Sequence, residues 1–96
     1  MDESEIRALL SKQFENPGTV TYFMERYQGF DEGLKAAFYQ CLLNGQPPII
    51  ERNGWSFKAV QERTNCSVLD AFLYMDRISE SSDYANGFRF MRFGRK

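Results

Sequence analysis

The chain has 96 residues, a formal charge of −1, 43% hydrophobic and 16% aromatic residues, enough apolar material for one compact unit but too little length for separate substrate and catalytic domains. Charge is unevenly spread: residues 1–48 hold four Lys/Arg against seven Asp/Glu, and residues 49–96 hold eight against six, a split too mild for a polybasic protein that binds by neutralising many phosphates. There is no histidine, and the two cysteines, Cys41 and Cys66, lack CxxC spacing, which argues against a zinc site.

The opening "MDESEIRALL" is acidic where a secretory leader would be basic, and no stretch approaches the roughly 20 apolar residues of a membrane span. The expectation is a cytoplasmic protein with two reduced thiols and no membrane partner. Asp2 and Glu5 then sit at capping-box spacing, and Ile6, Leu9, Leu10 and Phe14 recur at helical intervals, which predicts a first helix over about residues 3–15. In "ENPGTV", Asn16 can cap the next helix and Pro17 suits its first position. Val20, Phe23, Met24 and Tyr27 make its apolar stripe before Gly29. "TVTYFM" would also suit a strand, but the stripe favours a helix.

"DEGLKAAFYQCLLNG" is the clearest segment. Asp31 caps it, Leu34, Ala37, Phe38, Cys41 and Leu42 form its face, and Gly45 supplies the left-handed stop. After "QPP", Ile49 and Ile50 read as a short strand ended by the Asn53-Gly54 turn. Ser56 caps a short helix, Phe57 to Thr64, with Trp55 and Val60 at the positions of a hydrophobic staple. Ser67 caps a longer helix to about Ser79, with Asp70 three residues on and Val68, Phe72, Met75 and Ile78 on one face. "SESSDYANG" reads as a loop with an Asn86-Gly87 hairpin turn, and the last ten residues, "GFRFMRFGRK", as a strand.

This order predicts a mainly α fold with a small β-sheet (α+β), about five helices and two to three short strands: N-terminal helices over residues 1–46, then a helix-turn-helix with a C-terminal strand over 47–96. Residues 47–93 resemble a winged helix-turn-helix, in which a small sheet packs beside a helical pair. Asn65 stands where the common turn has Gly, and Asn also tolerates the left-handed region. "FMRFGRK" is similar to the processing unit of FMRFamide-type neuropeptide precursors. Such precursors carry a secretory leader and repeat the unit, so the match is expected to be incidental.

Catalysis is not expected. Without His the usual proton shuttle near neutral pH is missing. The carboxylate pairs Asp2/Glu3 and Asp31/Glu32 stand at helix starts, where the dipole favours them. No glycine-rich phosphate loop is present, and no cofactor or small-molecule substrate is implied.

A helix-turn-helix of the DNA-binding kind reads bases with its second helix. "SVLDAFLYMDRI", however, carries one Arg against two Asp, and offers Val68, Leu69 and Asp70 in its first turn, where base-reading side chains belong. With Leu69, Leu73 and Tyr74 added to its core face, this helix is apolar nearly all round. It is covered either by the N-terminal helices or by a second protein molecule, a homodimer included. The leading expectation is a small non-enzymatic protein acting through protein contacts at Leu69, Leu73, Tyr74, Arg89, Arg92 and Phe93. Such a build suits a compact inhibitor or adaptor of the kind phages and mobile elements encode. The alternative is a DNA-binding regulator using Lys58, Arg63, Arg77, Arg89, Arg92, Arg95 and Lys96 on phosphates.

Overall fold

Wherever a short polar side chain precedes an apolar stripe, a helix begins. The computed structural model describes residues 2–93, and these form six helices and one two-stranded antiparallel sheet. Two compact units are distinguished, Met1–Gln46 and Pro47–Lys96.

The first unit is three helices. Helix α1, Glu3–Gln13, is capped by Asp2, whose carboxylate accepts from the Ser4 backbone N–H at 3.1 Å. Glu5 does not complete a reciprocal box with Asp2; its carboxylate accepts from the Tyr39 hydroxyl at 2.5 Å. Helix α2, Pro17–Gln28, is capped by Asn16, which accepts from Gly18 N–H at 2.8 Å. Helix α3, Glu32–Asn44, is capped by Asp31, which accepts from Leu34 N–H at 2.8 Å, and stops at Gly45 with φ 73°.

Their stripes supply the buried Ile6, Leu10, Val20, Phe23, Met24, Tyr27, Leu34, Phe38, Cys41 and Leu42, joined by Phe30 from the α2–α3 connection. The rings form a chain: Phe14 stacks on Phe23 at 5.4 Å, Phe23 on Phe38 at 6.3 Å, and Tyr27 and Phe30 each meet Phe38 at 5.7 Å. Offset and edge-on rings of this kind add to the area buried.

The second unit opens with a hairpin, strands β1, Glu51–Arg52, and β2, Trp55–Ser56. Asn53 and Gly54 both have positive φ, 47° and 85°, as a two-residue turn matched to strand twist requires. The turn sets the register: Arg52 pairs with Trp55 and Glu51 with Ser56, and Phe57 N–H donates to Ile50 C=O at 3.0 Å. The predicted strand at Ile49-Ile50 is therefore displaced by two residues. Pairing cannot extend further, because Phe57 already begins a helix, and Ile49 is left fully exposed.

Helix α4, Phe57–Thr64, is capped by Ser56, and helix α5, Val68–Glu80, by Ser67. Asn65 between them is left-handed, φ 56°, ψ 36°. The turn between α4 and α5 thus places asparagine in the left-handed region that glycine most often fills. Phe57, Val60, Leu69, Ala71, Phe72, Met75 and Ile78 are buried.

The C-terminal reading is overturned as far as residue 93; residues 94–96 of the expected strand lie outside the described residues. Ser82–Phe88 form helix α6, capped by Ser81, whose hydroxyl accepts from Tyr84 N–H at 3.0 Å. Residues 89–93 form no strand. Asn and Gly inside a helix cost up to about 1 kcal/mol each, but burying a phenylalanine contributes about 1.5–3 kcal/mol, and α6 buries Phe88 completely. A hairpin at Asn86-Gly87 would also need a strand before it, and "SESSDYA" offers only caps and first-turn residues. The fold class is mainly α with a small sheet, and the sheet is the Asn53-Gly54 hairpin alone among the described residues.

Candidate interaction surface

Phe88 organises the surface of the second unit. Around its ring lie Trp55 at 4.8 Å, Phe93 at 4.9 Å, Tyr74 at 5.8 Å and Tyr84 at 6.1 Å. Tyr74 also meets Phe93 edge-on at 5.6 Å. Each ring comes from a different segment: β2, α5, α6 and the chain beyond it.

Polar donors pin the same segments. Trp55 Nε1 donates to Ala85 C=O at 2.9 Å. Asn53 Nδ2 donates to Ile78 C=O at 2.7 Å, in the last turn of α5, where carbonyls lack helical partners. Arg63 makes the most contacts: Nε donates to Phe88 C=O at 3.3 Å, one terminal nitrogen donates to Met91 C=O at 3.0 Å and to Arg89 C=O, and the guanidinium lies 5.9 Å from the Phe93 ring centre. Its planar fork of donors suits several carbonyls at once.

Six residues were expected to meet a protein partner. Leu69 is a core residue, 7% exposed. Leu73, Tyr74 and Phe93 are half-buried, and Arg89 and Arg92 are exposed. Tyr74 and Phe93 are brought together at Phe88. Of the expected phosphate contacts, Lys58 is exposed, Arg63 is engaged by the carbonyls of residues 88–91, and Arg77 lies over the Tyr84 ring at 4.5 Å. Arg95 and Lys96 lie outside the described residues.

Two features were not foreseen. Phe90, which a strand through residues 87–96 would put on the same face as Phe88, is 81% exposed. An open concavity of about 430 Å³ is lined by Glu51, Gly54, Trp55, Ser56, Ala59 and Arg89. Ser81 followed by Tyr84, Ala85 and Phe88 at helical spacing was the available signal for α6, and hence for a Phe90 that falls outside the packed stripe.

The titrating groups follow burial. It pushes the Cys41 and Cys66 thiols and the Tyr27 and Tyr74 hydroxyls up. Tyr39 is raised by its hydrogen bond to Glu5. Both cysteines are free, and among the described residues no three of His, Cys, Asp or Glu group as metal ligands would. No described helix is long and apolar enough to cross a membrane. No family model, curated protein or solved structure matches the chain.

Proposed function

We propose that this chain is a non-enzymatic binding protein, an adaptor or inhibitor in character, that works through protein contacts made by its second unit. The observation that carries the reading is the pairing of an acidic, apolar α5 with a basic aromatic segment beyond α6. Asp70 is exposed in the first turn of α5, where a DNA-reading helix would meet base edges, and Arg77 of that helix is turned to Tyr84. Arg89, Arg92, Tyr74 and Phe93 combine residue types enriched where proteins bind proteins.

The second reading is a winged helix-turn-helix DNA regulator. It is favoured by the α4–α5 turn at Asn65 and by the hairpin preceding it. It is weakened by Arg63, whose guanidinium is committed to three backbone carbonyls.

A salt titration with random-sequence duplex separates the two. Under our reading, affinity at physiological salt is weaker than micromolar. Micromolar binding that falls steeply with salt, as counterion release demands, would favour the regulator.

A further inference from the structure

Resting on the protein-contact reading, we infer that the turn carrying Phe90 anchors a docking site for an acidic polypeptide: Phe90 enters an apolar socket on the partner, and Arg89 and Arg92 meet carboxylates at its rim. Phe90 is 81% exposed, an unusual position for a ring whose neighbours Phe88 and Phe93 are packed together. Its backbone is nonetheless fixed. Phe90 N–H donates to Gly87 C=O at 2.9 Å and Met91 N–H to Phe88 C=O at 3.2 Å, while Arg63 holds the carbonyls of Phe88, Arg89 and Met91. The ring is thus presented on a turn clamped on both sides. An anchor set in advance loses less entropy on binding, and Phe and Arg are both enriched where proteins meet proteins, Arg at hot spots as well.

Charge selects the partner. From Tyr84 to Phe93 the chain has no carboxylate and carries Arg89 and Arg92, both exposed. This short basic stretch complements an acidic surface and would repel a basic one. A nucleic-acid strand fits less well. Single-strand binders stack successive bases on several rings along a positive groove, whereas one ring is presented here, and the concavity that Arg89 lines also contains Glu51. Arg63 acts as a positioning residue for this site.

The test selects a displayed library of random dodecapeptides on the full chain, then measures the enriched peptides by titration calorimetry. Expected are sequences rich in Asp, Glu and large apolar residues. Their affinity should fall about tenfold or more on Phe90→Ala and on the double variant Arg89→Glu/Arg92→Glu, and stay unchanged on Lys12→Glu. Circular dichroism should be unaltered by Phe90→Ala, because that ring is outside the core. Arg63→Lys should weaken binding less than Arg63→Ala, through a retained single donor.

Enriched peptides that bind Phe90→Ala as well as the parent chain would overturn the inference while leaving the protein-contact reading in place. If no peptide is enriched, both fail. Phe90-dependent binding to dT20 or to phosphatidylserine vesicles, without peptide binding, would overturn it in favour of a strand or a lipid surface. A dimer in sedimentation that Phe90→Ala dissolves would overturn it in favour of a second copy.

Discussion

The two units are both helical and both gather rings from distant segments, but they differ in how polar side chains tie those segments together. In the first, residues far apart in sequence meet as rings, from Phe14 through Phe23 to Phe38, and the polar contacts from Gln28 to Glu3 and from Tyr39 to Glu5 are exposed. In the second, side-chain donors reach across 25 to 30 residues into backbone carbonyls: Asn53 to Ile78, Trp55 to Ala85, Arg63 to Phe88. A unit built on periodic apolar stripes can be assembled from local rules, whereas one whose helix ends are satisfied from elsewhere cannot.

The strongest test of that contrast is aromatic deletion. Phe38→Ala in the first unit and Phe88→Ala in the second should each cost about 3–5 kcal/mol in urea unfolding, since each ring is fully buried among several others. Stopping the chain after Gly87 should cost at least as much as Phe88→Ala. If it leaves the melting temperature unchanged, Phe88 is not the hub of its unit.

Removing polar pins should then separate the units. Arg63→Ala should destabilise by about 1–2 kcal/mol and Trp55→Phe by about 1 kcal/mol, the scale of a part-buried hydrogen bond lost from its carbonyl. Tyr39→Phe and Gln28→Ala in the first unit should leave the melt unmoved. An effect of Tyr39→Phe as large as that of Trp55→Phe would erase the distinction.

Alkaline pH should affect both units alike. Tyr27 and Tyr74, one in each, are raised chiefly by burial, so folding favours their neutral hydroxyls. Stability from this source is fully present below the ordinary tyrosine value near pH 10 and is lost as pH rises through the higher folded values. Tyr27→Phe and Tyr74→Phe should each flatten the loss of stability above pH 10, measured by urea unfolding across the alkaline range. One further expected effect has the opposite sign. Ser79 Oγ is buried without a hydrogen-bond partner, and Ser79→Ala should raise stability by up to about 1 kcal/mol.

Five of the six helices were legible because their signals are local. Asp2, Asn16, Asp31, Ser56 and Ser67 each precede an apolar stripe, and Gly45 and Asn65 mark left-handed stops that few other residues accept. The surroundings of the proposed contact residues were legible only in part. Tyr74, Arg89, Arg92 and Phe93 were singled out by residue type and are half-buried or exposed, but Leu69 faces the core, and Arg63 donates to backbone carbonyls of its own chain. Which side of a nearly all-apolar helix stays accessible depends on what packs against it, and periodicity alone does not say.

The sequence by itself determined where most helices start and stop, the Asn53-Gly54 turn and the mainly α class, because caps, turns and stripes act over a few residues. Only the tertiary structure decided the last segment. "GFRFMRFGRK" alternates as a strand would, yet a strand needs a partner, and none is offered to its described part. A socket for Phe88 lined by Trp55, Tyr74 and Tyr84, and Arg63 bound to the carbonyls beyond it, turn residues 87–93 into a helix end and a clamped turn. The Trp55 and Arg63 contacts span 25 to 33 residues, beyond the reach of any local pattern, and they are what leaves Phe90 outside.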